Sequence, residues 1–173
     1  MAPWIELVRD RCTEEFGDQQ WVCVMATVDT DGRPTARCMV CRQIDKQGRL
    51  LFVSDRRTRK DDHLRARPDC EICFWLPKSA AQIRLRGTAC IVDAEIDNFM
   101  RENWWDEMTA QNRAIFNAPE TDNHMPVTFE LIVLTPNEVE MHDLRTRPVN
   151  KQTWRHDRAG EKNSACNAVV TAG

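Results

Sequence analysis

Apolar side chains recur at helical spacing over residues 3–16. Ile5, Val8, Cys12 and Phe16 share one face, and Trp4 stands one turn before Val8. Pro3 suits a first turn, and Gly17 follows as a stop; Leu7 falls off the face. After Trp21 the pattern changes. Trp21–Asp29 (WVCVMATVD) is β-prone and apolar on both faces, and Thr30-Asp31-Gly32 reads as a turn. Ala36–Ile44 is a second strand, with Pro34 near its start, where a missing N–H does least harm. Asp45-Lys46-Gln47-Gly48 closes a hairpin into Leu50–Ser54. These strands predict a three-strand meander.

A short helix over 58–66 follows, with His63 and Leu64 in its middle and Pro68 just beyond; His63 is expected on its surface. Cys70–Leu76 is a strand, Pro77-Lys78 a turn, and Ala81–Val92 a long strand in which Gln82, Arg84 and Arg86 alternate with Ile83 and Leu85. Gly87 marks a bulge. Ile96, Phe99, Met100, Trp104, Met108 and Ile115 predict a helix over 95–116, with Trp104-Trp105 as a core anchor plus a subunit contact. A loop over 117–126, strands over Val127–Leu134, Glu138–Leu144 and Asn150–His156, and a flexible tail over 157–173 complete the chain. Seven or eight short strands joined by hairpins, with few helices, predict a mainly β (α+β) domain over 1–156. Its antiparallel sheet closes into a barrel. There is no βαβ alternation and no glycine-rich dinucleotide fingerprint.

Charge adds a site. The formal net charge is -3, yet Arg56, Arg57, Arg59 and Lys60 crowd into five positions. A local cationic knot calls for a local anion, and a phosphate suits it. Thr58 stands at a helix N-cap position with Asp61 three residues on, so backbone N–H groups point the same way as the cations. Arginine grips a phosphate with two hydrogen bonds, and lysine adds a point charge. Arg37 and Arg42 lie in an otherwise apolar strand and need a counter-charge, for which Asp55, Glu71 or a bound anion would serve. A pI of 5.8 argues against a general nucleic-acid binder. No apolar run reaches the ~20 residues of a membrane span, and the charged N-terminus MAPWIELVRDRC lacks a signal-peptide core, so a cytoplasmic protein is expected. Cys38-x-x-Cys41 and Cys70-x-x-Cys73 echo paired zinc knuckles, but both lie in β-prone runs, where residues i and i+3 point to opposite faces. No metal site is expected.

The chain resembles the pyridoxamine 5′-phosphate oxidase-like family of FMN-binding split barrels over residues 20–92, and more faintly over 127–156. Arg37-Cys38-Met39-Val40-Cys41-Arg42 is similar to the family's R-x-V-L-L-K strand, and Leu51-Phe52-Val53-Ser54-Asp55 to its F-Y-T-N strand end, with Val53 in place of the tyrosine. Thr58-Arg59-Lys60 is similar to its S-R-K turn, and Gln82-Ile83-Arg84 to its R-Q-V-R strand. Order and spacing match as well. APW, FWLPKS and LRTRPVNK look most like a branch of oxidase-related FMN-binding proteins of undefined substrate.

The resemblance implies a homodimer holding FMN in clefts at the subunit interface. Arg37 and Lys60 would bind the phosphate, with Arg59, Ser54 and Thr58 beside them. Met39, Val40 and Val53 would border the isoalloxazine ring, Arg42 its polar edge, and Gln82 would hydrogen-bond it. His142 and Lys151 would approach from the other subunit. The implied activity is FMN-dependent oxidoreduction of a small molecule, with a non-catalytic carrier of flavin, haem or a phosphate ligand as the alternative. One departure touches substrate choice. Where the oxidase proper carries R-L-H-D-R to hold pyridoxal phosphate, this chain has Arg147-Pro148-Val149-Asn150-Lys151, with valine for the histidine.

Overall fold

A computed structural model describes residues 2–17, 20–116 and 124–155. The chain runs α1 (Pro3–Phe16), β1 (Trp21–Val28), β2 (Pro34–Cys41), β3 (Gln43–Ile44), β4 (Leu50–Asp55), α2 (Arg59–Ala66), β5 (Asp69–Leu76), β6 (Ala81–Val92), α3 (Ala94–Glu107), α4 (Ala110–Ala114), β7 (Phe129–Asp143) and β8 (Asn150–Arg155). All strand pairs are antiparallel. The path is β2-β1-β5-β6-β7-β4-β3, with β8 also on β7. The mainly β, split-barrel architecture expected from the sequence is therefore the one observed. The predicted tail and the last residue of the predicted final strand, His156, lie outside the described residues.

Two aspartates build the early hairpins in the same way. Asp29 Oδ1 accepts from the Asp31 and Arg33 amides, and Asp45 Oδ1 from those of Gln47 and Arg49. Each turn then needs a left-handed residue, supplied by Gly32 (φ 87°) and Gly48 (φ 84°). The expected three-strand meander does not form. The predicted second strand breaks at Arg42, so β2 pairs with β1 whereas β3 pairs with β4. β2 and β3 are the two ends of the strand path, yet only Arg42 separates them, and its N–H donates to Leu51 O at 2.8 Å. Ends that are neighbours in the chain must meet in space, so the sheet curls.

Side-chain alternation sorts the core into two clusters. Cys23, Met25, Ile72, Phe74, Ile83, Leu85, Val139 and Met141 face inward and meet the apolar face of α1, from which Trp4, Ile5, Val8 and Cys12 are buried. A second cluster forms under α3, where Trp105 meets Phe129 and Phe116 edge-to-face at 5.2 and 6.0 Å. The predicted helix over 95–116 is broken twice: Asp97 is non-helical, and α3 ends before α4 begins.

β7 is one strand where two were predicted. The break was read at Thr135-Pro136-Asn137, but Gly87 pairs with Pro136 and Arg86 with Glu138, which leaves Asn137 as the extra residue of a bulge. A proline lacking its N–H is tolerated there. β4 and β8 then occupy the same edge of β7, one on each side of the bulge.

At the end of β7, Asp143 accepts from the Arg145 side chain at 2.7 and 3.0 Å and from its amide at 3.0 Å. The Arg145 side chain, then its amide, lowers the carboxyl from 3.8 to about 2. A depressed folded value gives stability that is present above the unfolded value and lost as pH falls through the folded one. Asp143→Asn should therefore lose a small increment above pH 4, because the pair is solvent-exposed, and the gap to wild type should close between pH 4 and pH 2. Urea denaturation at stepped pH measures this; a gap that persists at pH 2 contradicts it.

Candidate functional site

The first group of candidate residues lies where β1 and β2 meet α2. Arg37 is opposite Met25, and Thr35 opposite Thr27, so all four side chains share the inner face. Arg37 Nη1 donates to Met25 O at 3.1 Å and Thr27 Oγ1 at 2.8 Å, and Nη2 donates to Thr35 Oγ1 at 2.7 Å. All three acceptors are neutral. The carboxylates that could have neutralised it are engaged elsewhere: Asp55 takes Arg57 at 2.6 Å, and Glu71 takes Arg84 and Arg86 at 2.6 and 2.9 Å. Burial lowers the pKa of the Arg37 guanidinium. Arg42 is alike: half-buried, with its pKa lowered by burial, and its buried Nε has no hydrogen-bond partner. A half-buried cation without a counter-ion is costly unless an anion or polar ligand completes it.

The second group lies at the start of α2. Asp61 is wholly buried, and its Oδ2 is 2.6 Å from both Ser54 Oγ and Thr58 Oγ1 and 3.3 Å from Lys60 Nζ. Lys60 Nζ also donates to Thr58 Oγ1 at 2.6 Å. Thr58 occupies the N-cap position expected of it, but its hydroxyl caps no backbone N–H; it turns to Asp55 O and Asp61 instead. Of the basic knot, Arg57 is bound to Asp55, and Arg56 lies 3.9 Å from Glu130. Arg59 is exposed and makes no ion pair among the described residues. Lys60, implied to bind the phosphate, pairs with Asp61 at 3.3 Å.

The third group lies on the outer face of the sheet. Trp75, Gln82, His142 and Lys151 stand directly opposite one another across β5, β6, β7 and β8, so the register brings three predicted residues into one row. Gln82 Nε2 is 3.2 Å from Cys73 Sγ, Lys151 Nζ is 2.6 Å from Glu140 Oε1, and the buried His142 Nε2 has no hydrogen-bond partner. Val40, opposite Val22, faces the same way. Met39, opposite Cys23, faces inward and packs on the main cluster. Val53 packs on the second cluster, under α3. Within one chain the predicted residues therefore divide among an inner mouth, the start of α2 and an outer row.

Three residues escaped the sequence reading. His63 was expected on the surface, but it is buried against Thr27 and Thr35. The signal was present: a turn at residues 30–32 sets Thr27 opposite Thr35, two polar residues beside Arg37 on a mostly apolar inner face. Among the described residues no group of three or more His, Cys, Asp or Glu is placed to hold a metal. No helix among them is long and apolar enough to cross a membrane.

A curled antiparallel barrel carrying two half-buried arginines that no described carboxylate neutralises suits an anionic ligand such as a phosphate. The family model for the pyridoxamine 5′-phosphate oxidase FMN-binding domain matches residues 1–93, and the chain belongs to that family, with FMN as its cofactor. It is 34% identical over 79 residues to a pyridoxine/pyridoxamine 5′-phosphate oxidase of Myxococcus xanthus (strain DK1622), a stretch covering 45% of this chain and 38% of the relative. A similar oxidase of Ectopseudomonas mendocina is 29% identical over 67% of this chain and 56% of its own. The chain thus spans well under two thirds of the length of these relatives. Among solved structures, a pyridoxamine 5′-phosphate oxidase-related FMN-binding protein of Nostoc punctiforme superposes with a TM-score of 0.79 at 25% identity, covering 93% of this chain and 95% of that one. Arg37 and Arg42 fit such a cofactor, because each is a half-buried cation that no described carboxylate neutralises.

Proposed function

We propose that the protein is a homodimeric, cytoplasmic FMN-dependent oxidoreductase acting on a small molecule. The observation that carries this reading is Arg37, a half-buried cation whose hydrogen-bond partners are all neutral. Arg37 and Arg59 hold the phosphate, with Ser54, Thr58 and Lys60 forming the rim around Asp61. The backbone of Met39 and Val40 and the side chain of Val40 border the ring, while the Met39 and Val53 side chains pack on the two core clusters behind it. Arg42, with its unpartnered Nε, lies at the ring's polar edge, where it favours negative charge. Gln82 hydrogen-bonds the ring, and the partner subunit's His142 and the partner subunit's Lys151 complete the cleft. FMN supplies the two-electron redox chemistry; the protein supplies anchoring, orientation and charge.

The outer face supports the dimer. Val22, Val24 and Trp75 are 46%, 39% and 51% exposed there, a larger apolar surface than scattered single residues leave. A second reading, a non-catalytic carrier of flavin, haem or a phosphate ligand, draws on the segment Arg147-Pro148-Val149-Asn150-Lys151, which lacks the histidine that holds pyridoxal phosphate in the oxidase. Steady-state turnover of the FMN-loaded protein with NADH or NADPH and a dye acceptor separates the two. Reduction of the bound flavin with multiple turnovers is expected; bound flavin that no donor reduces favours the carrier.

A further inference from the structure

His63 is 8% exposed, and its Nδ1 lies 3.1 Å from Thr27 Oγ1 and 3.3 Å from Thr35 Oγ1. These are the two hydroxyls that accept from Arg37. Hydrogen counting gives the chain a direction. Arginine only donates, so each hydroxyl spends a lone pair on it and keeps one proton to give. The hydroxyls are 3.0 Å apart, so one donates to the other and the remaining proton goes to a bare Nδ1. If Nδ1 carries a proton, the direction reverses, and Thr35 gives its own proton to Thr27 O at 3.4 Å. Arg37 is held in both states.

The titratable and charged groups around His63 come from four elements. On α2, Asp62 precedes His63, and the Arg67 N–H caps its carbonyl at 2.7 Å. From the end of β1 comes Asp29, held below the usual carboxylate range chiefly by the Arg33 amide, with His63 a lesser contributor. β2 presents Arg37, and β5 presents Cys70, whose thiol is pushed up to about 12 by burial and stays neutral. Among the described residues no carboxylate makes an ion pair with the imidazole.

We propose that His63 is a positioning residue of the phosphate site, fixing Arg37 through Thr27 and Thr35. This rests on the reading that Arg37 binds the FMN phosphate.

The test is calorimetric titration of FMN and of riboflavin, which lacks the phosphate, into the full-length wild type, His63→Asn and His63→Leu at pH 8. The quantity read is the FMN-to-riboflavin affinity ratio, which a general loosening of the fold leaves unmoved. His63→Leu should lower it about tenfold, the size of one lost charge-assisted contact. His63→Asn can still accept from or donate to the hydroxyls and should restore the ratio at pH 8. An unchanged ratio in His63→Leu overturns the proposal. If that variant does not fold, an unchanged ratio in Thr35→Val, which removes a hydroxyl linking His63 to Arg37, overturns it instead. A wild type that binds FMN and riboflavin equally would overturn the phosphate-site reading itself, a distinct result.

Discussion

Arg37→Ala is expected to weaken FMN binding by about 30- to 4,000-fold while leaving the fold intact. Truncating one member of a buried, hydrogen-bonded charge pair costs roughly 2–5 kcal/mol, and each 1.4 kcal/mol is a factor of ten. In the absence of ligand, Arg37 contributes little to the fold, because it gives its hydrogen bonds to one carbonyl and two hydroxyls at the edge of β2. Lys60→Ala should behave differently. Lys60 Nζ is 3.3 Å from the fully buried Asp61, so removing it strands a carboxylate that already has one oxygen without a partner. Its loss should appear first in thermal stability, and only then in affinity. Flavin fluorescence quenching for affinity and circular dichroism for melting distinguish the two variants. Arg37→Ala protein that keeps wild-type affinity would remove this residue from the phosphate site.

Gly87→Ala is expected to be the most damaging single methyl group in the sheet. A Cβ there would stand 2.1 Å from Thr135 O and 2.8 Å from Pro136 Cα, both backbone atoms of the facing strand. Backbone cannot swing aside as a long side chain can, so β6 and β7 must separate at the bulge. Overpacking of this kind costs about 1–3 kcal/mol and sometimes more, which lowers the melting temperature of a chain this size by roughly 2–12 °C. A melting temperature equal to wild type's would show that the bulge absorbs the methyl group.

Much of this architecture was legible in the residues. The apolar stripe of α1, the limits of β6 and the bulge at Gly87 follow from spacing and from one glycine. Elsewhere local signals were overridden from a distance. No turn residue marks the break at Arg42; the apolar run continues through it, and the break exists because the chain moves there from one end of the sheet to the other. Thr-Pro-Asn in β7 has the composition of a turn, yet it is held extended by the bulge that Gly87 permits. The candidate site was legible to a similar degree. The cations could be picked out, but not their partners, because the neutralisation of Lys60 depends on Asp61 turning inward from α2. His63 reads as a surface residue until β1 and β2 close over it.

The long strand β7 has a consequence for how the molecule comes apart. Phe129, Leu131 and Val133 point into the cluster under α3, while Ile132, Leu134, Val139 and Met141 belong to the main barrel cluster. Two cores that share one backbone cannot melt independently, because fraying either releases the ladder that supports the other. Differential scanning calorimetry should therefore show a single cooperative endotherm with matching calorimetric and van't Hoff enthalpies, and amides on the β6 and β7 ladder should exchange with solvent only through global opening.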